Sequence, residues 1–339
     1  MKQQIKLLLI YKKLYGDTMK NVKLKVKDGE FIRTDSNFRN WITKDGGPGI
    51  SGIGGFKAEA DRYHLYISHA CPWAHRALIF RKLKGLESLI SLSIVHPLMP
   101  LESWVFGEYP GSTEDHLYGF KYLYELYQKA DKKFNRLVTV PVLWDKKNHT
   151  IVNNESSEII RMMNSSFDDI TGNKQDYYPE KLREEIDVIN ERVYKDVNNG
   201  VYRCGFATTQ KAYERAITPL FETLDWLEDI LESKRYLTGN AITEADWRLF
   251  TTLIRFDPVY VGHFKCNVRR IIDYPCLSNY LRDLYQQPGI ESTVNMEQIK
   301  KHYYGSHESI NKFGVVPHGP EIDLNKPHNR QKILDSHGK

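Results

Sequence analysis

The stretch Tyr63-His64-Leu65-Tyr66-Ile67-Ser68-His69-Ala70-Cys71-Pro72-Trp73-Ala74-His75-Arg76-Ala77-Leu78-Ile79-Phe80-Arg81 begins as a strand and ends as a helix, with a cysteine at the join. Leu65 and Ile67 alternate with polar neighbours, the pattern of a half-buried strand. Pro72 has no backbone N–H to donate, which suits the first helical position. Ala77, Leu78 and Phe80 then continue at helical spacing. Cys71 is therefore expected at a helix N-terminus. Unpaired N–H groups and the positive end of the helix dipole favour a thiolate there. Such a setting can bring a thiol from ~8.5 into the range ~3.5–7.5.

The fourth position of this turn is Ala74, not a second cysteine. A Cys-x-x-Cys pair resolves its own mixed disulfide, whereas Cys71 needs an outside thiol. The abundant one in cells is glutathione. A buried, inert cysteine ahead of a helix is the plainer reading of Cys-Pro alone, and the motifs downstream weigh against it.

At 339 residues the chain is long enough for about two domains and needs no staples. Cys71, Cys204, Cys266 and Cys276 are scattered, without metal-ligand spacing or a disulfide framework. No metal is expected, and the expected compartment is reducing, the cytoplasm. The net charge of +5 is small, and no Arg-rich block or basic aromatic stripe suggests a nucleic-acid surface. Leu7-Leu8-Leu9-Ile10, flanked by lysines within Met1–Tyr15, faintly resembles a signal-peptide core. It is too short to span a membrane and lacks a small-residue cleavage site. Met19 offers an alternative start. A disordered or non-native extension is the favoured reading over a targeting signal.

Phe31 to Phe56, centred on Gly46-Gly47-Pro48-Gly49, reads as an ordered loop or arm, not a phosphate cradle. Leu89–Val95 completes a βαβ crossover. Pro97–Asn135, with Trp104 and an aromatic run from Tyr118 to Tyr127, is too long for a simple connection and is expected to be an insertion with its own helix. Leu137–Trp144 and Thr150–Val152 read as strands around a polar turn, and Ser156–Met163 as a helix. Pro141 breaks a central ladder and belongs at an edge or bend. It is either an ordinary trans edge proline or a cis one that turns Val140's backbone groups outward.

From about Pro179 the pattern is helical. Leu182, Ile186, Ile189, Val193 and Val197 form one apolar stripe, and Ile217 to Leu231 another. Thr243 and Asp246 have capping-box spacing, with Ile242 as the staple residue. Cys276–Leu284 and Met296–Tyr303 also read as helices. Beyond Tyr304 the chain reads as a tail lying over the surface or disordered.

The order β–α–β, insertion, β–β–α, then helices is that of a glutathione transferase. Cys71-Pro72-Trp73-Ala74-His75-Arg76, Thr139-Val140-Pro141-Val142-Leu143-Trp144-Asp145 and Asn153-Asn154-Glu155-Ser156-Ser157-Glu158 resemble the glutathionyl-hydroquinone reductases, the Xi-class transferases. So do Leu117-Tyr118-Gly119, Asn199-Gly200-Val201-Tyr202, Gly205–Gln210 and Arg255-Phe256-Asp257-Pro258-Val259-Tyr260 with His263-Phe264-Lys265. The resemblance spans roughly Asn37 to Val316. Its Cys-Pro motif is shared with the omega class, and the Asn-Asn-Glu-Ser-Ser block and the Tyr260 segment are far more specific. It implies an α/β plus all-α chain, a thioredoxin-like N-terminal domain followed by a helical glutathione-transferase domain. The expected division is an extension and arm at 1–60, the glutathione-binding domain at 61–170, the helical domain at 178–304 and a tail at 305–339.

The resemblance also implies roles. Cys71 would be the nucleophile, and Val140 would pair its backbone with the cysteinyl part of glutathione. Glu155 would hold the tripeptide's ammonium, and Ser156 with its helix N-terminus the glutamyl carboxylate. A plain helix cap is the other reading of that pair. Trp104 would cover the tripeptide, although a tryptophan alone is more often an ordinary core side chain than a ligand contact. Arg136 would bind a glutathione carboxylate, but it stands one residue farther from Val-Thr-Val-Pro than the family pattern has it. Tyr202 would donate a proton, and Tyr260 and Tyr303 would help lower the thiol pKa. His69, His75 and His263 are expected to be structural or solvent-facing.

The implied activity is glutathione-dependent reduction of glutathionyl-hydroquinones through a Cys71–glutathione mixed disulfide, by a homodimer joined through its helical half. An omega-like thiol transferase or dehydroascorbate reductase shares Cys71 without needing Tyr202 as an acid. A non-catalytic transferase-like module is the reading from another class. Such modules usually lose the thiol and the glutathione pocket, which this chain keeps.

Overall fold

A computed structural model describes residues 25–100 and 103–336. The apolar run within Met1–Tyr15 and the alternative start at Met19 lie outside the described residues. A four-stranded sheet in the order β4-β3-β5-β6 forms the first half, from β3 (Tyr63–Ile67), β4 (Ile90–Ile94), β5 (Val142–Asp145) and β6 (Thr150–Asn153). β3 pairs with β4 in parallel across helix α1 (Pro72–Leu83), and β5 runs antiparallel to both β3 and β6. Helix α3 (Ser156–Ser165) follows β6 and packs on α1.

β3 departs from the half-buried strand expected of its alternation: all five residues are buried. It is a central strand covered on both faces, so its polar side chains need partners inside. His64 meets the hydroxyls of Ser91 and Ser93 at 2.7 and 2.9 Å, and Tyr66 donates to Asp115 at 2.8 Å. Burial brings the His64 imidazole down to about 3, so it is neutral.

Before the sheet, β1 (Lys25–Lys27) and β2 (Glu30–Ile32) form a hairpin. Its two turn residues, Asp28 and Gly29, have φ of 52° and 81°, the left-handed values that a two-residue hairpin needs. A Cβ on Gly29 would lie 2.5 Å from Thr209 Oγ1. The glycine thus also permits the hairpin to dock on the start of α7 (Gln210–Ser233), where the Thr208 amide donates to the Gly29 carbonyl at 3.0 Å. The arm continues along the sheet edge. Asn40 donates its amide to Val152 at 2.9 Å, and Asn154 to the Phe38 carbonyl at 3.1 Å.

The insertion carries its own helix, α2 (Leu123–Ala130), and folds back on itself through Phe106 N to Lys121 O at 2.9 Å and Leu123 N to Trp104 O at 3.0 Å. Of the expected strand Leu137–Trp144, only Val142–Trp144 joins the sheet, as part of β5. Pro141 has no N–H for the ladder, and the Val140–Pro141 bond is cis.

After the short α4 (Asp168–Thr171), the second half consists of α5 (Arg183–Arg192), α6 (Gly200–Gly205), α7, α8 (Glu244–Arg255), α9 (Pro275–Tyr285) and α10 (Met296–Ser306). Two wide π-helical turns, Val193–Asn198 and Phe256–Tyr260, interrupt this pattern. They close through Asn199 N to Tyr194 O and Val261 N to Phe256 O, both 2.9 Å. Pro258 lies inside the second turn and lacks the N–H for a regular turn. The Thr243–Asp246 capping box is present, with the Thr243 amide donating to Asp246 at 2.7 Å.

The C-terminal tail lies on the surface. Buried Arg330 donates to the Leu231 and Arg235 carbonyls at 2.7 and 2.9 Å, satisfying the end of α7, and α11 (Gln331–Ser336) follows. Among the described residues, no helix is long and apolar enough to cross a membrane.

Candidate active site

Cys71 is the N-cap residue of α1, with Pro72 at the first helical position. Its thiol donates to the Val140 carbonyl at 3.5 Å, across from the cis Val140–Pro141 bond. The turn before it is clamped by Arg255, the last residue of α8. That wholly buried guanidinium donates to the Ala70 and His69 carbonyls at 2.9 and 2.8 Å. It also reaches Thr251 O at 2.8 Å and His75 Nδ1 at 3.0 Å, tying the helical half to the thiol's turn.

The lowered thiol expected of a helix N-terminus is not what the geometry produces. Burial raises the Cys71 thiol above its ordinary value. The Ala74 and Trp73 amides at the helix end, with the charges of Arg255 and Arg33, oppose burial without overcoming it. A raised acid is mostly protonated below its pKa. The rate of Cys71 alkylation in the free protein should therefore climb with pH to a midpoint above the usual ~8.5. A midpoint near neutrality, read by iodoacetamide labelling and peptide mass, would show that the helix end outweighs burial.

Tyr202, Tyr260 and Tyr303 are brought together. The Tyr202 and Tyr303 hydroxyls are 2.6 Å apart, and those of Tyr260 and Tyr303 3.0 Å. Tyr202 comes from α6, Tyr260 from the second π turn and Tyr303 from α10. Burial, then the neighbouring Cys71, raises the Tyr202 phenol, and burial raises Tyr260 and Tyr303 well above the usual range. All three are protonated at neutral pH. Trp104 joins this wall through His302, whose ring stacks on it at 4.9 Å and 18°.

Glu155 and Ser156 open α3 close by, linked to α1 by Arg76, which donates to Ser156 Oγ at 3.4 Å. Glu155 caps its own helix, accepting from Ser157 N at 3.1 Å, and its other oxygen accepts from Ser36 Oγ at 3.0 Å. Burial raises this carboxyl, but the Ser157 amide, the hydroxyls of Ser157 and Ser36 and the charge of Arg76 together hold it below the usual range. It is therefore an anion with a helix N-terminus beside it, a set suited to the ammonium and carboxylate of an amino-acid head.

Arg136 is the residue not brought in. It lies exposed on the rim, bonded to Asn37 of the arm. Of the three histidines, His75 and His263 are buried and structural, and His69 is half-buried. His75 is buried between Arg255 and Thr293, His263 meets His307 at 3.1 Å, and burial brings His69 down to about 4. Arg33, Arg76, Arg255 and Ser36 are site residues that sequence reasoning passed over. Only Arg76 and Arg255 stood inside quoted motifs, and nothing in their spacing separates a clamp from a surface arginine. Among the described residues, no cluster of three or more His, Cys, Asp or Glu is placed to hold a metal ion.

Family models support this architecture. The model described as glutathione S-transferase, N-terminal domain matches residues 70–166, and the corresponding C-terminal domain matches residues 210–283. The chain is 58% identical to glutathionyl-hydroquinone reductase YqjG of Escherichia coli over 303 residues, covering 89% of this chain and 92% of that protein. The glutathione-bound structure of YqjG superimposes with a TM-score of 0.86, covering 87% of this chain and 96% of that one. Glutathionyl-hydroquinone reductase PcpF of Sphingobium chlorophenolicum is 51% identical over 300 residues, 88% of this chain and 93% of that protein. The Xi glutathione transferase of Phanerochaete chrysosporium, 50% identical, superimposes with a TM-score of 0.83 over 88% of this chain and 100% of that one. With this fold and these motifs around Cys71, the chain belongs to the glutathione transferases and, within them, to the Xi-class glutathionyl-hydroquinone reductases.

Proposed function

We propose that the protein reduces glutathionyl-hydroquinones at the expense of glutathione, with Cys71 as nucleophile and Tyr202 as acid. The observation that carries this reading is a single cysteine at a helix N-terminus facing a hydrogen-bonded chain of three protonated tyrosines. The Cys71 thiolate attacks the sulfur joining glutathione to the ring. The carbon–sulfur bond breaks, its electron pair stays on the ring carbon, and Tyr202 protonates that carbon. The hydroquinone leaves, and Cys71 is held as a mixed disulfide with glutathione. A second glutathione thiolate attacks the glutathione sulfur of that disulfide, giving glutathione disulfide and free Cys71. A thiol raised by burial still serves, because cysteine is strongly nucleophilic even as a small thiolate fraction.

Glu155 and the start of α3 hold the γ-glutamyl head in this reading. Val140 pairs with the tripeptide backbone, and Trp104 covers it. Arg136 reaches a carboxylate only by leaving Asn37. Glutathione serves as co-substrate with no metal taking part. We propose a cytoplasmic homodimer joined through its helical half.

Tyr202→Phe keeps the aromatic wall and removes the acid. Turnover of glutathionyl-menadiol should fall about a hundredfold, the worth of one positioned acid. Formation of the Cys71 mixed disulfide from glutathione disulfide should persist. Unchanged turnover would favour an omega-like thiol transferase, which needs no carbon acid, and reduction of dehydroascorbate would then be the activity to measure.

A further inference from the structure

The N-terminal arm brings a cation to the tyrosine side of the site, and the proposed reaction leaves that cation without a task. Arg33 lies just past β2. Its guanidinium carbon sits 4.7 Å from the Trp73 ring centre, 5.0 Å from that of Tyr202 and 5.4 Å from that of Phe31. Trp73 is two residues past Cys71, and Tyr202 is the proposed acid. The charge of Arg33 reaches both the Cys71 thiol and the Tyr202 phenol, lowering each. Its Nε donates to Asn199 Oδ1 at 2.6 Å, which fixes the direction of the fork. Among the described residues no carboxylate pairs with Arg33, and no acceptor engages its two terminal amino groups. Three other buried or half-buried arginines are committed to carboxylates. Arg62 is bidentate on Asp145, Arg235 on Asp283, and Arg161 is shared between Glu244 and Asp187.

The arm that carries Arg33 is built into the molecule on both sides. Glu30 pairs with Arg203 and Arg215 of the helical half, and Ser36 and Phe38 bond Glu155 and Asn154 of the sheet half. A guanidinium set among three aromatic rings, whose charge is felt by a thiol and a phenol and whose terminal N–H groups meet no acceptor among the described residues, is arranged to meet a planar ring bearing oxygen.

The geometry points to Arg33 as a specificity-determining residue that reads an oxygen, anionic or becoming so, on the aromatic ring of the substrate. This rests on the proposed function for the identity of the ring and extends it to how that ring is chosen. It predicts selectivity for S-aryl glutathiones with ring oxygens over plain aryl ones, exerted by the arm and not by the glutathione pocket.

The test is a pair of ligands on the full chain in a Cys71→Ser background, where neither is turned over. One is S-(2,5-dihydroxyphenyl)glutathione, kept anaerobic, and the other is S-phenylglutathione. Calorimetry should show Arg33→Gln weakening the dihydroxy ligand by about tenfold, the worth of a lost charge-assisted hydrogen bond. The phenyl ligand should change by less than about twofold, and Arg33→Lys should recover part of the dihydroxy affinity. Equal losses on both ligands, or none on either, would overturn the assignment. Equal losses would reduce Arg33 to a wall residue. The reading beneath it is scored separately on the unsubstituted protein. Discrimination between the ligands without turnover of glutathionyl-menadiol would keep Arg33 as a reader of ring oxygens and discard the reaction.

Discussion

Replacing Cys71 by serine should reduce turnover of glutathionyl-menadiol by at least about a thousandfold while leaving the fold and the glutathione site intact. A nucleophile that forms the covalent intermediate has no substitute once lost, and residual rates in such cases come from binding and positioning alone. The other three cysteines cannot take its place. Cys204 and Cys266 are buried in the helical half, and Cys276 is the second residue of α9. Serine keeps the size and hydrogen-bonding of the N-cap position, and serine is itself a good cap. Thermal stability should therefore hold within about 1 kcal/mol. Steady-state assay beside a melting curve separates loss of chemistry from loss of structure. Retained turnover would remove Cys71 from the reaction.

The largest structural effect is expected at Arg255. Its guanidinium donates to three carbonyls, those of Ala70 and Thr251 buried and that of His69 half-buried, and faces His75 Nδ1. Arg255→Met keeps much of the volume and takes the side-chain donor from the Ala70 and His69 carbonyls, while Thr251 O keeps its helical backbone donor. Each unmet buried group costs about 1–3 kcal/mol, so a loss of roughly 3–5 kcal/mol is expected. That would lower Tm by about 5 °C in a chain of this size. The same change withdraws a charge that lowers the Cys71 thiol. The thiol's midpoint should therefore move further up, and alkylation at a fixed pH below it should slow. Arg255→Lys keeps the charge but cannot reach in three directions. It should restore the alkylation profile more than the stability. A melting curve shifted with no change in the alkylation profile would confine Arg255 to a structural role.

Much of this site was legible because local rules and tertiary packing agree along it. A proline after Cys71 suits the first position of a helix, and the capping-box spacing of Thr243 and Asp246 marks another start. The strand-to-helix order follows from the same local chemistry, whereas the Glu155-Ser156 pair and the three tyrosines were picked out by their resemblance to the Xi-class motifs. Where tertiary packing decides, the sequence was mute or misleading. The alternation of Leu65 and Ile67 suggested a wet face, but both faces of β3 are covered and its His64 and Tyr66 are paid for with buried partners. The helix end at Cys71 suggested a lowered thiol, yet desolvation by residues distant in sequence wins. Arg33, Arg255 and Ser36 carry no periodic signal, since their partners are set by how the arm and α8 cross the sheet half. The hairpin turn at Asp28-Gly29 is the exception that could have been read. Its Asp-Gly pair is a strong two-residue turn signal, and its meaning lay in the contact with Thr209.

The central claim is that one sulfur captures glutathione and holds it until another glutathione arrives. Intact mass after brief exposure to glutathione disulfide, with Cys71→Ser alongside, measures this directly. A single glutathione adduct should form on the unsubstituted protein, map to the Cys71 peptide and vanish on adding reduced glutathione, while the serine variant stays unmodified. An adduct that persists in the serine variant, or an unsubstituted protein that takes none, would contradict the account.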